Sequence, residues 1–468
     1  MLTYFPKFLS SRAIICYLVT LALVSAFFMN FVLPFQFMLF GLVFVVVFFA
    51  YSTKLSIGWQ KLKPAKFAKK LFITALIIRI VYVVFIYFYY IEMTGLPHMY
   101  YPGDELFYEY MGTLIKNGEY KLSEYNQALK YFRVAFSDSG YCWWLAIENA
   151  ILGTHPLPYR IVKCVLDAYS CVLMYHLTKR NFGEYTGRIA AIFCMLIPNK
   201  WYYCALTLKE TEMAFMAILF VERADAALHS KQITIKSLIL PAVVVLVMFT
   251  FRTALAAVLV ASLVAALIFS SGKQLELWKK IVYTSIFAVW MFLTVGVEMV
   301  QETQKLWENR TENQSVGYEW RSRTNSFAQY ATASVFAPLI FTIPFATVVN
   351  IQGQENQMLM NGANFTKNII SGLTILALFL LLVRGDWRKH VLPIAVMCGY
   401  LVVLVFSNFA HSERFHFPAL AFELMFAAYG VSQLTNKHKR WYTIWIIVIC
   451  VANIAWSYIK LAGRGFAV

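Results

Sequence analysis

Residues Leu71–Ile91 read L-F-I-T-A-L-I-I-R-I-V-Y-V-V-F-I-Y-F-Y-Y-I, with one charge, Arg79, in the whole run. As a helix this run crosses about 30 Å of hydrocarbon. Its two flanks differ. Before it, Ser52–Lys70 carries Lys54, Lys61, Lys63, Lys66, Lys69 and Lys70 and no acid. Short lysine-rich connectors stay in the cytoplasm, so this flank fixes the orientation. After it, Met99–Tyr110 reads M-Y-Y-P-G-D-E-L-F-Y-E-Y and sets Asp104, Glu105 and Glu109 among aromatic rings on the opposite side.

The same logic extends in both directions. The chain has 468 residues, 60% hydrophobic and only 14% charged, well below the roughly 25% charge of soluble domains. Apolar windows of about 20 residues recur from end to end. They are continuous rather than alternating, which argues against a β-barrel. The expectation is an all-α polytopic membrane protein, residues 1–468 forming a single transmembrane domain of about 13 spans with a cytoplasmic N-terminus. The net charge of +17 sits in short connectors, which argues against nucleic acid as a partner. Eight cysteines lie scattered without paired spacing, so neither a disulfide framework nor a zinc site is expected.

Before Leu71 the spans are predicted at about Ala13–Val32 and Pro34–Tyr51. After the first large outer loop, about 92–156, they fall at Leu157–Leu177, Gly187–Tyr202, Leu206–Glu222, Ser237–Thr250, Ala254–Phe269 and Ile281–Val300. A second outer loop, about 301–367, follows. The last spans are Ile369–Val383, Val391–Phe409, Phe417–Ser432 and Trp441–Ile459. Within the second loop, Ala333–Val349 holds Pro338 and Pro344. Counting it as a span would put Lys437–Arg440 outside, so it is read as re-entrant or surface-lying, buried against protein. The first outer loop, with eight acids against three Lys and one Arg, suits short amphipathic helices on the membrane.

Mixed charges gather on the outer side. Asp104 and Glu105 stand about 100° apart on a helix, so one of them faces a site squarely. Such a carboxylate can take a proton from an acceptor hydroxyl; it can equally be a solvated loop acid. Lys209 and Glu210 interrupt an apolar run, where ionisable groups are costly and often functional, or snorkel to the interface. Arg160 opens a span and Arg252 sits at a hairpin turn. Either guanidinium suits phosphate oxygens or lipid headgroups. The run N-F-A-H-S-E-R-F-H-F-P, Asn408–Pro418, adds His411, Glu413, Arg414 and His416. A metal held by His411, Glu413 and His416 matches no known spacing, so no cofactor is expected. Arg79 and Asp167 both fall near mid-depth and are expected to pair. Glu423 lies similarly deep without an evident partner. Sequons at Asn309, Asn313 and Asn364 would be glycan sites in an endoplasmic reticulum setting; short loops with few acids suit a bacterial inner membrane.

Four segments carry a family resemblance: Y-P-G-D-E-L-F-Y at Tyr101–Tyr108, L-P-Y-R-I-V at Leu157–Val162, L-K-E-T-E at Leu208–Glu212 and E-R-F-H-F-P at Glu413–Pro418. Together they resemble the GT-C superfamily of glycosyltransferases using polyprenyl-phosphate-linked sugars, nearest to the protein mannosyltransferase and aminoarabinose transferase branch. The resemblance implies inverting transfer to a glycan, lipid or protein acceptor at the periplasmic face. It makes Asp104 the catalytic group; Glu105 beside it is the second catalytic candidate. It puts Lys209 and Arg414 on the donor phosphate; Arg252 and Arg160 join them on chemistry alone. Glu210, His411, Glu413, His416, Tyr101, Tyr108 and Arg321 are expected around the substrates. A polymerase or ligase using a lipid-diphosphate donor, or a transporter of lipid-linked substrates, shares much of this logic.

Overall fold

The computed structural model describes residues 2–119, 136–230, 235–269, 339–406 and 412–464. Their regular structure is helical, apart from one antiparallel bridge between Val32 and Val349. Among the described residues seven helical segments are long and apolar enough to cross a membrane, and two shorter apolar helices accompany them. The protein is an all-α integral membrane protein. The expected span at Ile281–Val300, Asn309 and Asn313, Arg321 and His411 lie outside the described residues.

The helices in chain order are α1 (Lys7–Phe27), α2 (Phe35–Gly58), α3 (Pro64–Thr94), α4 (Gly103–Lys116), α5 (Phe136–Leu152), α6 (Pro156–Phe182), α7 (Glu184–Leu196), α8 (Pro198–Cys204), α9 (Glu210–Leu228), α10 (Ile235–Phe251), α11 (Thr253–Phe269), α12 (Asn361–Val383), α13 (Val391–Phe406), α14 (Glu413–Ser432) and α15 (Asn436–Ala462). In α6 and α12 67% of the spanning window is buried, against 28–39% in α1, α2, α3 and α15. The first pair belongs to the centre and the other four to the lipid boundary. Helices α7, α9 and α14 are also buried nearly all round.

Several elements depart from the sequence reading, each for a local reason. The stretch expected as one span, Gly187–Tyr202, is two helices, α7 and α8, broken at Pro198. Proline lacks the N–H that would continue the helix and starts the next one instead. Helices α12, α14 and α15 begin four to eight residues before the apolar windows, because their first turns are polar and meet protein or water. Asn364 therefore lies on α12 rather than in a loop. Its amide is buried and donates to Glu413 Oε2 at 2.9 Å, so it is not a glycan site. The described part of Ala333–Val349 forms no long helix. Its carbonyls at Thr342, Ile343 and Pro344 accept from Asn368 and Lys367 of α12, as buried irregular backbone must.

Two glycines matter to the packing. Gly183 turns α6 into α7 at φ 88°, a conformation that disfavours any side chain. Gly362 lets α12 cross α2 so closely that a Cβ there would sit 2.2 Å from the Gly41 carbonyl oxygen, the small-residue crossing typical of membrane helices.

The two ends of the bundle hold different chemistry. At one end Arg188 donates to the carbonyls of Trp59, Gln60 and Leu62, clamping the lysine-rich connector. Nearby Arg180 pairs with Glu222 and Asp225. The starts of α4, α6, α9 and α14 meet at the other end.

Candidate functional site

Three remote segments converge at that second end. Arg414, in the first turn of α14, directs Nε to Glu210, the first residue of α9, and Nη1 to Asp104, in the first turn of α4. The three carry different exposures: Glu210 is fully buried, Arg414 is 19% exposed and Asp104 is 59% exposed. Buried Glu210 thus fixes the guanidinium, and Asp104 is the member open to solutes. Both acids sit in first helical turns, where the helix dipole favours negative charge.

The loop before α4 is held so that Asp104 stays in place. Glu105, fully buried, accepts from the Met99 N–H at 2.9 Å and the Thr207 N–H at 2.6 Å. The Tyr100 carbonyl accepts from Asn356 at 2.7 Å. Between these ties Tyr101 adopts φ 56° with its ring exposed, an outlier for a bulky residue. Adjacent Asp104 and Glu105 therefore divide as helical geometry requires, one into solvent and one into the protein.

The expected phosphate ligands separate in the same way. Lys209 is 2% exposed, and its ammonium meets Asp138, the Ser137 carbonyl at 2.8 Å and the Phe251 carbonyl at 2.6 Å. All three of its donors are engaged. Arg160 is fully buried, with Nη2 3.2 Å from both His98 Nδ1 and Thr207 Oγ1 and 3.5 Å from Glu105. Arg252, next to the Lys209 acceptor Phe251, is half-buried and lies over the Phe415 ring at 4.4 Å. Among the described residues no carboxylate pairs with it.

Around this core, Tyr108 donates to Asp138 at 3.0 Å. Burial pushes the Tyr108 hydroxyl up; Asp138 adds to that and Arg414 opposes it. For Asp138, burial acts upward, but Lys209, the Tyr108 hydroxyl and Arg252 outweigh it and hold the carboxyl below its ordinary value. Further along α5, Glu148 is buried with both oxygens unpartnered among the described residues. Burial, with the like charge of Glu212, pushes its carboxyl up to about 8.

Glu413 and His416 point inward. Glu413 accepts from Asn199 at 2.7 Å and Asn364 at 2.9 Å. His416 Nδ1 lies 3.0 Å from Lys367 Nζ. No group of three or more His, Cys, Asp or Glu suited to a metal occurs among the described residues. At mid-depth Arg79 pairs with Asp167 at 2.5 Å, as their depth suggested, and Lys200 joins at 2.5 Å. Glu423 has a partner after all: Lys367, 3.8 Å away. Hydropathy hides the pair, because Lys367 lies ahead of the apolar window of α12.

Comparison with protein-family models, curated proteins and solved structures finds no match to this chain.

Proposed function

We propose that this protein is an inverting glycosyltransferase that moves a sugar from a polyprenyl-phosphate donor to an acceptor hydroxyl at the outer membrane face. The observation that supports it most is the exposed Asp104 tied to Arg414, which is itself fixed by buried Glu210. That arrangement gives a proton acceptor and a cation side by side where the bundle meets water. A general base must reach the acceptor proton, and a fixed cation must meet the charge that grows on the leaving group.

In this reading the acceptor oxygen attacks the anomeric carbon. Its proton passes to Asp104, and the bond from carbon to phosphate oxygen breaks with its electron pair leaving on the lipid phosphate. Arg252, stacked over the Phe415 ring and in no salt bridge among the described residues, is the cation this reading assigns to that phosphate. Arg414 orients Asp104 and shares the developing charge. Lys209 and Arg160 hold the site together from beneath. The exposed Tyr101 ring offers a flat face to a sugar at the entrance.

A transporter needs ionisable groups along an open path. Arg79, Asp167, Lys200, Lys367 and Glu423 are each at most 3% exposed and face one another, which favours catalysis over transport. The test is turnover in proteoliposomes with a polyprenyl-monophosphate sugar, a polyprenyl-diphosphate sugar or neither, and the anomeric configuration of the product. Consumption of the monophosphate donor with inversion supports the reading. Use of the diphosphate donor alone moves the protein to the polymerase or ligase class, and transbilayer movement without bond cleavage rejects enzymology altogether.

A further inference from the structure

Helix α15 ends in two cations, Lys460 and Arg464, at the end of the bundle opposite the lysine-rich connector. Lys460 leaves its own helix to reach an irregular segment: its ammonium donates to Thr347 Oγ1 and to Gln354 Oε1 at 3.0 Å. The same helix face holds that segment through Asn453, whose Oδ1 accepts from the Ala346 N–H at 2.9 Å, and through Trp456 against Phe345 at 6.1 Å. Arg464 folds back, donating from Nη1 to the Lys460 carbonyl at 3.1 Å. The two positive charges therefore lie within one turn of each other, and among the described residues neither has a carboxylate partner.

Two features make this more than helix-end decoration. A half-buried ammonium satisfied only by neutral oxygens retains an uncompensated charge, which is costly away from bulk water. It also sits at the lipid boundary: only 28% of the α15 window is buried, and Tyr458 and Ile459 beside the cations are exposed. An anion arriving laterally through the bilayer can reach both cations while its tails cover those apolar side chains. We propose that Lys460 and Arg464 form a binding site for the phosphate of an anionic phospholipid headgroup, seated against α15. The site is separate from Asp104, and it does not depend on the proposed transfer activity.

The experiment uses the full-length protein extracted from nanodiscs of phosphatidylcholine with about one-third phosphatidylglycerol. Native mass spectrometry counts the retained lipids, and thermal unfolding is followed in parallel. Wild type should retain phosphatidylglycerol several-fold over its share of the bilayer and unfold at higher temperature than in phosphatidylcholine alone. R464Q changes an exposed side chain and should fold normally while losing most of that preference. K460Q should lose the rest, and K460R should keep it. Undiminished retention by folded R464Q and K460Q would overturn the proposal. So would equal protection by inorganic phosphate in phosphatidylcholine discs, since the occupant would then not be a lipid.

Discussion

Two charged clusters in this protein look alike in composition and differ in closure. At mid-depth, Asp167 is held between Arg79 and Lys200, and all three are at most 2% exposed. Arg79 further donates to the carbonyls of Ala75, Met195 and Cys194. Nothing in that triad faces outward. At the end of the bundle, Arg414 is likewise held between two acids, but one of them, Asp104, is 59% exposed. The first arrangement can only hold helices α3, α6 and α8 in register. The second has a buried anchor, a largely shielded cation and an open acid, and so it can exchange one partner for a ligand without exposing an unpaired buried charge.

Substituting the open acid gives the sharpest contrast. D104N should leave the protein folded, because an exposed ion pair adds little stability. Its transfer rate should fall by about 10²–10⁴, the usual contribution of a positioned general base. Donor turnover in proteoliposomes measures it. A variant that keeps near-normal turnover removes Asp104 from the chemistry and makes the two clusters functionally equivalent.

The closed cluster should behave in the opposite way. D167N leaves Arg79 and Lys200 buried beside a neutral amide. Removing one partner of a buried pair costs about 3–5 kcal/mol, so the variant should lose yield and unfold well below wild type. Turnover per folded molecule should stay unchanged. If D167N instead folds normally and loses turnover, the triad belongs to the mechanism and a transport or proton path returns to consideration.

How far the sequence revealed this contrast depends on what each residue needed. Arg79 and Asp167 were legible as a pair because each interrupts a long apolar run at similar depth. Lys200 was not, since it lies next to the Pro198 break, where hydropathy shows a span end rather than a kink. Lys367 and Asn364 lie on α12 rather than in a loop for a related reason. Hydropathy windows detect contact with hydrocarbon, and the first two turns of α12 contact protein. The outer-side acids and Arg414 were visible as composition. Their pairing was not, because α4, α9 and α14 are brought together by contacts hundreds of residues apart. The withdrawal of Lys209 and Arg160 into the protein was equally invisible, since a buried and an exposed cation read the same in sequence.

A milder change tests the anchor. E210Q keeps the shape beside Arg414 but removes the charge that fixes Nε. A hydrogen bond to a charged group contributes about 1.5–3 kcal/mol, so the guanidinium should become mobile. The expected result is a turnover loss smaller than in D104N, with little change in donor KM. A donor KM that rises steeply while kcat holds would mean that Arg414, not Arg252, carries the phosphate.

The smallest effect concerns Glu148, which is buried like the triad yet unpartnered among the described residues. Glu212 and Lys163 face it from α9 and α6, and Tyr141 lies on its own helix. Its carboxyl, ordinarily at 4.5, is raised to about 8 by burial and by Glu212. The folded protein therefore keeps a proton that the unfolded chain releases above pH 4.5. Its favourable contribution is full below that value, declines as pH rises and has gone by about pH 8. The slope cannot exceed about 1.4 kcal/mol per pH unit. E148Q holds the neutral form at every pH, so its unfolding temperature should match wild type below about pH 4 and exceed it at pH 8. Parallel pH profiles for the two proteins would mean that Glu148 is ionised in the fold with a cation beside it, which would place it with the paired cluster rather than between the two.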